Sequence, residues 1–520
     1  MRVVYLIAFT TLFAFHSFSQ SLISSKDFKL GTPNTEPDDR SDIVKLPDNT
    51  FVIVAKTKGG QTGKSDFMME KYDMDLNVLW GTPLSADASE DFKDLIYNGK
   101  EIILLSVIHK ETEKKTKLMA YTFDPSTGKA GSAKELESFD VGDWDNHAHK
   151  GKVKESFVDV ICEHANKNFV TPFEYKHNIS YSPDGKLILS YVFNYGEKNL
   201  NATVSIYDKD LNLKNRGKVG IDNDYTNHGM YVDNKGLLYI VNVSNSGKTN
   251  LISYDLSSKD FQIIEVPASN FKKDDLQLVF KGDNTVFLAN TELSFQDKVM
   301  GVKYVKCNFS DMKVESVIFE SFSDELKKKV NDGRKSHKQI KGEEDWTDYD
   351  LTHFIVNDDE SVFILLEKRD LYAEGYPHIR KGSFDKSHNV EVPGHVHTEG
   401  IIVLAFDKEG DTKWQTYIPK SQVYPASDGL NSISFVLNYS NNQLKLLYAT
   451  SENFDGQLNN LNYLVLDAET GNTVKSTSLP NSDKLQLVRE YTIWSGDHLI
   501  VVGKKGMMGK SSTIAKYKLN

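Results

Sequence analysis

The sequence predicts an all-β fold: a single β-propeller of about eight four-stranded blades, closed by an N-terminal strand and carrying one short helical insertion. Three observations predict it. Two different turn motifs each recur about eight times, strand-forming residues alternate between the turns, and the last repeat is one strand short while the N-terminal region has a strand to spare.

Taken in order, residues 1–19 read as a signal peptide. Arg2 gives a positive start, Val3 to Phe15 is an apolar run too short to span a bilayer, and Ser17 and Ser19 are the small residues of a cut before Gln20. Ile23 to Leu30 is the spare strand. The first motif, a polar turn before an apolar run, appears as LPDNTFVIVA (46–55), YNGKEIILLS (97–106), SPDGKLILSY (182–191) and VDNKGLLYIV (232–241). It continues as KGDNTVFLAN (281–290), NDDESVFILL (357–366), YSNNQLKLLY (439–448) and WSGDHLIVVG (494–503). Gly and Asn tolerate the positive φ of tight hairpins, so each copy reads as strand, turn, strand.

The second motif places an aromatic or aliphatic residue before Asp, a polar turn and another strand. Its markers are Asp73, Asp124, Asp208, Asp255, Asp407 and Asp467, with Asn308 in a weaker copy and the terminal AKYKLN where the eighth falls. Both motifs give the same count, and the β-branched and aromatic alternation between them leaves little room for helix. No Pro/Gly/Ser-rich linker divides the repeats, so one ring is expected. The last unit reaches Asn520 with three strands, and Ile23 to Leu30 supplies its outer strand, leaving no open seam.

Three insertions break the spacing. Residues 137–172 separate units two and three, 322–350 separate units five and six, and 368–398 divide the second and third strands of unit six. In a propeller the 4→1 and 2→3 connections leave on the same face, so all three gather on one side of the disc. That face is the candidate binding surface. Ser323 with Asp324 and Glu325 signals a helix start, Phe322, Leu326 and Val330 repeat at one-turn spacing, and Gly333 offers a stop; a short helix resting on the rim accounts for them. The candidate binding residues are Trp144, His147 and His149 in the first insertion and Tyr372, Tyr376, His378, Arg380, His395 and His397 in the third.

Composition excludes several function classes. Lys+Arg is 62 against Asp+Glu 73, a net charge of −11, which argues against nucleic acid as a partner. Cys162 and Cys307 alone can build neither a disulfide scaffold nor a four-cysteine zinc site. No run after the signal peptide is apolar enough for a transmembrane segment. Nucleophile elbow, His-Glu-x-x-His and dinucleotide motifs are absent, and GKKGMMGKSS (503–512) lies between two strands rather than before a helix, which fails the phosphate-loop context.

The aromatic–Asp turn followed by Trp, best preserved at Trp80 and Trp414, resembles the repeat of the bacterial quinoprotein-like propeller superfamily. That superfamily contains quinone-dependent dehydrogenases and non-enzymatic eight-bladed scaffolds of the bacterial envelope. The adjacent cysteine pair of its alcohol dehydrogenases has no counterpart, so the resemblance implies architecture rather than redox chemistry.

Aligning the first strands on their turns brings Asp42, Asp94, His177, His228, Gln277, His353, Ser434 and Glu490 to similar places at the channel mouth. Such a ring could hold a structural cation, a small polar ligand or water; no other cofactor is expected. The two His-x-His pairs, His147/His149 and His395/His397, would share a face on an extended strand but lack a third ligand at a diagnostic spacing. The functional expectation is an exported binding or scaffold propeller, periplasmic or extracellular, engaging an envelope or extracellular protein or glycan through its insertion-bearing face. The alternative is an extracytoplasmic enzyme, a polysaccharide hydrolase or lyase or a quinone-dependent oxidoreductase, working at the channel mouth.

Overall fold

A computed structural model describes residues 21–28, 42–56, 64–87, 90–110, 115–140, 178–194, 200–221, 225–244, 248–267, 270–271, 276–282, 284–336, 344–373, 394–425, 435–450, 460–481, 485–505 and 511–519. Eight four-stranded antiparallel sheets form the ring. Blades 1 to 7 occupy residues 42–87, 90–140, 178–221, 225–266, 277–321, 349–425 and 435–480, each built from consecutive strands. Blade 8 takes three strands from 485–518 and its fourth from Ser21–Phe28. The closing strand pairs antiparallel with the last one, Ser21 opposite Lys518 and Phe28 opposite Ser512, two residues earlier than the Ile23 to Leu30 expected from sequence.

Packing explains why the ring closes. Each blade-to-blade seam has its own apolar cluster, because middle strands lie between two neighbouring sheets and bury both faces. The closing seam is built like the others: Phe51, Ile53 and Tyr72 of blade 1 pack against Ile493, Ile500 and Ile514 of blade 8.

The Asp of the second motif holds the turn between third and fourth strands. Asp73 Oδ1 accepts from the amides of Asp75 (2.8 Å) and Asn77 (2.9 Å), and Asp467 Oδ1 from Glu469 (3.1 Å) and Thr470 (2.9 Å). Asn308, in the weak copy, does the same for Ser310 (2.8 Å). These are Asx turns, in which the side chain replaces a backbone acceptor. On the opposite side of the blade seam the tryptophans dock. Trp80 Nε1 donates to the Pro125 carbonyl (3.2 Å) and Trp414 Nε1 to that of Ala468 (3.0 Å), each indole covering a turn glycine of the next blade. A Cβ on Gly128 or Gly471 would lie 2.5 Å from the indole, and both glycines have positive φ, so only glycine fits there.

One helix is present among the described residues, α1 (Asp324–Ser336). Ser323 Oγ caps it by accepting from the Leu326 amide (3.1 Å), and Phe322, Leu326 and Val330 sit in the seam between blades 5 and 6. The helix runs through Gly333, the expected stop, for three more residues. Glycine serves another purpose there: a Cβ would be 2.5 Å from the Tyr417 ring, and Gly400 faces the same ring from the third strand of blade 6. The stop signal was a packing requirement.

Candidate functional site at the insertion-bearing face

Blade 6 is the longest sheet. Its second, third and fourth strands, Val362–Ala373, Gly394–Phe406 and Thr412–Pro425, extend past their counterparts in blade 7, Gln443–Thr450, Asn460–Asp467 and Thr473–Pro480. Strand therefore replaces both ends of the expected 368–398 insertion and leaves residues 374–393 outside the described chain. In blade 2 the fourth strand, Ala130–Asp140, likewise takes in the first residues of 137–172. Since consecutive strands are antiparallel, the 4→1 connections at 141–177 and 322–348 and the 2→3 connection at 374–393 leave on one face.

Where blade 6 outgrows the disc, its side chains become charged yet stay buried. Lys420 and Glu367 pair with both side chains fully buried, and Lys420 Nζ also donates to Thr398 Oγ1 (3.0 Å). Arg369 Nη2 reaches Glu367 Oε2 (3.2 Å). On the helix side, Arg334 bridges Glu344 and Glu399, the latter at 2.5 Å, and Lys368 Nζ bonds Glu344 (2.6 Å) and Asp345 (2.9 Å). Tyr349 donates its hydroxyl to Glu344 (3.3 Å). Alternating cations and carboxylates thus join α1, the stretch after it and three strands of blade 6.

Burial sets the titration of this cluster. It pushes the Glu399 carboxyl above its usual range, with Lys368 and Arg334 only partly opposing it. It also raises the Tyr349 and Tyr417 hydroxyls, with the neighbouring carboxylates adding to the shift. Asp345 is the exposed member: partial desolvation acts upward, but its contact with Glu344 and the Lys368 charge outweigh it and hold the carboxyl low. Burying such charges costs solvation and is recovered only by full pairing. The network fixes the geometry of α1 against the second, third and fourth strands of blade 6.

The expected binding residues distribute as follows. Trp144, His147, His149, Tyr376, His378 and Arg380 lie outside the described residues. Tyr372 and His395 are cross-strand partners at the root of the arm, the insertion between the second and third strands of blade 6. His397, two residues on, is 3% exposed; its Nε2 lies 3.0 Å from Ser421 Oγ and its Nδ1 3.4 Å from Glu399.

At the channel mouth, His177 and Ser434 lie outside the described residues, and Asp42, His228 and Glu490 are placed by backbone as first-strand residues. The other three reach sideways. Asp94 accepts from Tyr181 of blade 3, Gln277 Nε2 donates to the Leu351 carbonyl of blade 6 (2.8 Å), and the His353 ring lies 4.9 Å from that of Phe435 in blade 7. Each joins its first strand to that of the next blade. β-Bulges shift the register here, adding Lys93, His228 and Thr352 as extra residues, so His228 stands one place before the equivalents of Asp94 and His353. Alignment on the turns alone cannot show this. No group of three His, Cys, Asp or Glu side chains that could hold a metal ion occurs among the described residues.

Sequence reasoning missed the charged network. Its signal is visible in LLEKRD, TEGIIV and IPKSQV, where charges abut apolar strand residues that the ring buries. Their pairing depends on which strands become neighbours.

No family model matches the chain, and no curated protein matches it. Solved structures do. The Dos1 propeller aligns at a TM-score of 0.44 and 10% identity, covering 97% of this chain and 96% of that one. Chaetomium thermophilum Sqt1, bound to the N-terminus of ribosomal protein L10, aligns at 0.42 and 9%, covering 94% and 99%. The Pseudomonas aeruginosa periplasmic gluconolactonase PpgL aligns at 0.33 and 11%, covering 74% and 87%. The propeller assignment rests on the eight sheets of this chain itself. No helix among the described residues is long and apolar enough to cross a membrane.

Proposed function

We propose that this chain is an exported binding scaffold that engages an envelope or extracellular protein or glycan through its insertion-bearing face. The observation that carries the reading is the buried ion-pair network of blade 6, which holds α1 and the root of the arm in one geometry. Two of the three insertions are anchored there, and connections on a rigid scaffold are where recognition usually resides. The enzyme reading draws less support, because the channel-mouth side chains Asp94, Gln277 and His353 spend their contacts on neighbouring strands. Export rests on the apolar segment Val3 to Phe15 and the small residues before Gln20.

The test replaces residues 374–393 by a two-residue Asn-Gly turn, which suits a hairpin. Partners crosslinked to the parent in native envelopes should be lost by this variant, while both proteins melt alike. Retention of the same partners would remove the arm from the binding surface. N-terminal sequencing of the exported protein should begin at Gln20.

A further inference from the structure

The fourth strand of blade 6 is the outer edge of its sheet, and α1 packs beside its upper part, where Gly333 meets Tyr417. Below the helix a groove of about 450 Å³ opens along five consecutive residues, Thr412 to Thr416. A bulge at Lys413 turns Lys413 and Trp414 together toward blade 7, while Gln415 turns toward α1, so the groove between these side chains runs along the backbone edge. One wall carries Glu320 and Glu325, with Ser323 at the start of α1; the other carries Lys413 and the blade 7 turn at Thr470 and Asn472. Gln415 fixes the first wall: its Nε2 donates to Glu320 Oε1 (2.5 Å) and to the Ser321 carbonyl (3.1 Å), and its Oε1 accepts from the Ser323 amide (3.0 Å). Trp414 fixes the second by its bond to Ala468 and its cover over Gly471.

We propose that this groove takes an extended peptide of a partner protein, added as a fifth strand to the edge at Thr412–Thr416. Unpaired backbone groups on an edge strand are a template for such addition. The walls select the occupant. A second copy would have to bring a whole sheet against the edge, and α1 on one side with the blade 7 turn on the other admits a single strand. In an extended peptide, side chains point alternately to the two walls. Basic residues on one set face Glu320 and Glu325, and acidic residues on the other face Lys413. The wall charges are satisfied locally, Glu320 by the Gln415 amide and the others by solvated pairs, Lys329 with Glu325 (2.9 Å) and Lys413 with Glu469, and such surface contacts exchange at little cost. This site lies on the rim and does not depend on the arm at 374–393.

The probe is a labelled, end-blocked octapeptide of alternating Lys and Glu. It should bind saturably and slow amide exchange at 412–416, and the same peptide N-methylated at alternate residues should not bind. Glu320→Lys with Glu325→Lys should weaken binding by about tenfold or more. If that variant melts early, Lys413→Glu on the opposite wall makes the same test. Absence of binding overturns the proposal. So does equal binding of the N-methylated peptide, which would show attraction by charge alone, and so does protection elsewhere than 412–416.

Discussion

In six blades a single carboxylate oxygen shapes the turn between third and fourth strands, and its charge carries a pH signature. The Asp124 and Asp467 carboxyls are held below the usual range, first by the side-chain hydroxyls of Thr127 and Thr470 and then by backbone amides. A folded value below the unfolded one means that the contribution is present above the ordinary carboxylate range and is lost as pH falls through the folded value. Asn308 keeps the same turn without a charge. Replacing Asp124 and Asp467 by Asn should therefore leave melting near neutral pH almost unchanged and shift the acid unfolding midpoint to lower pH, as read by circular dichroism across pH 2–6. At the seam, Trp414→Ala should cost roughly 2 kcal/mol in denaturant unfolding, below the ~3–5 of a fully buried aromatic because the indole is only half-buried. In blade 6, Lys420→Met leaves the fully buried Glu367 with Arg369 as its remaining cation and should cost about 3 kcal/mol, with most of it recovered by adding Glu367→Leu.

Among elements, α1 was legible at its beginning and illegible at its end. Ser323, Asp324 and the Phe322, Leu326, Val330 spacing are local signals, and local signals are what a sequence displays. Gly333 has the same appearance whether it ends a helix or lets an aromatic ring approach, and only Tyr417 decides between them. Bulges have the same character: an extra residue at Lys93 or Thr352 is defined by the partner strand, so the one-place difference in register between His228 and His353 is not visible in an alignment on the turns. The turn markers and the docking tryptophans, by contrast, act within a few residues of their own position or on a repeat that sequence shows directly. Removing the cap with Ser323→Ala should cost about 1 kcal/mol, and Leu326→Ala about 2–4 kcal/mol, because one loses a hydrogen bond and the other opens the seam between blades 5 and 6.

At the scale of the molecule, the number of blades and the source of the closing strand follow from counting strands, while the charged network of blade 6 follows from none of the counts. Deleting residues 21–28 should expose the edge of the last strand of blade 8 and lower the melting temperature by at least about 5 °C, read by calorimetry. The same pairing has a consequence for the order of synthesis. Ser21 meets Lys518, so the closing strand has no partner until the roughly 500 residues between them have been made, a wait of about 25–100 s at ~5–20 residues per second. Blades 1 to 7 can fold as they emerge; the ring cannot lock until the last strand arrives. A product cut short before residue 511 leaves residues 21–28 unpaired and blade 1 without the Ile514 contact of its closing seam, so proteases that recognise loose ends can distinguish finished molecules from unfinished ones.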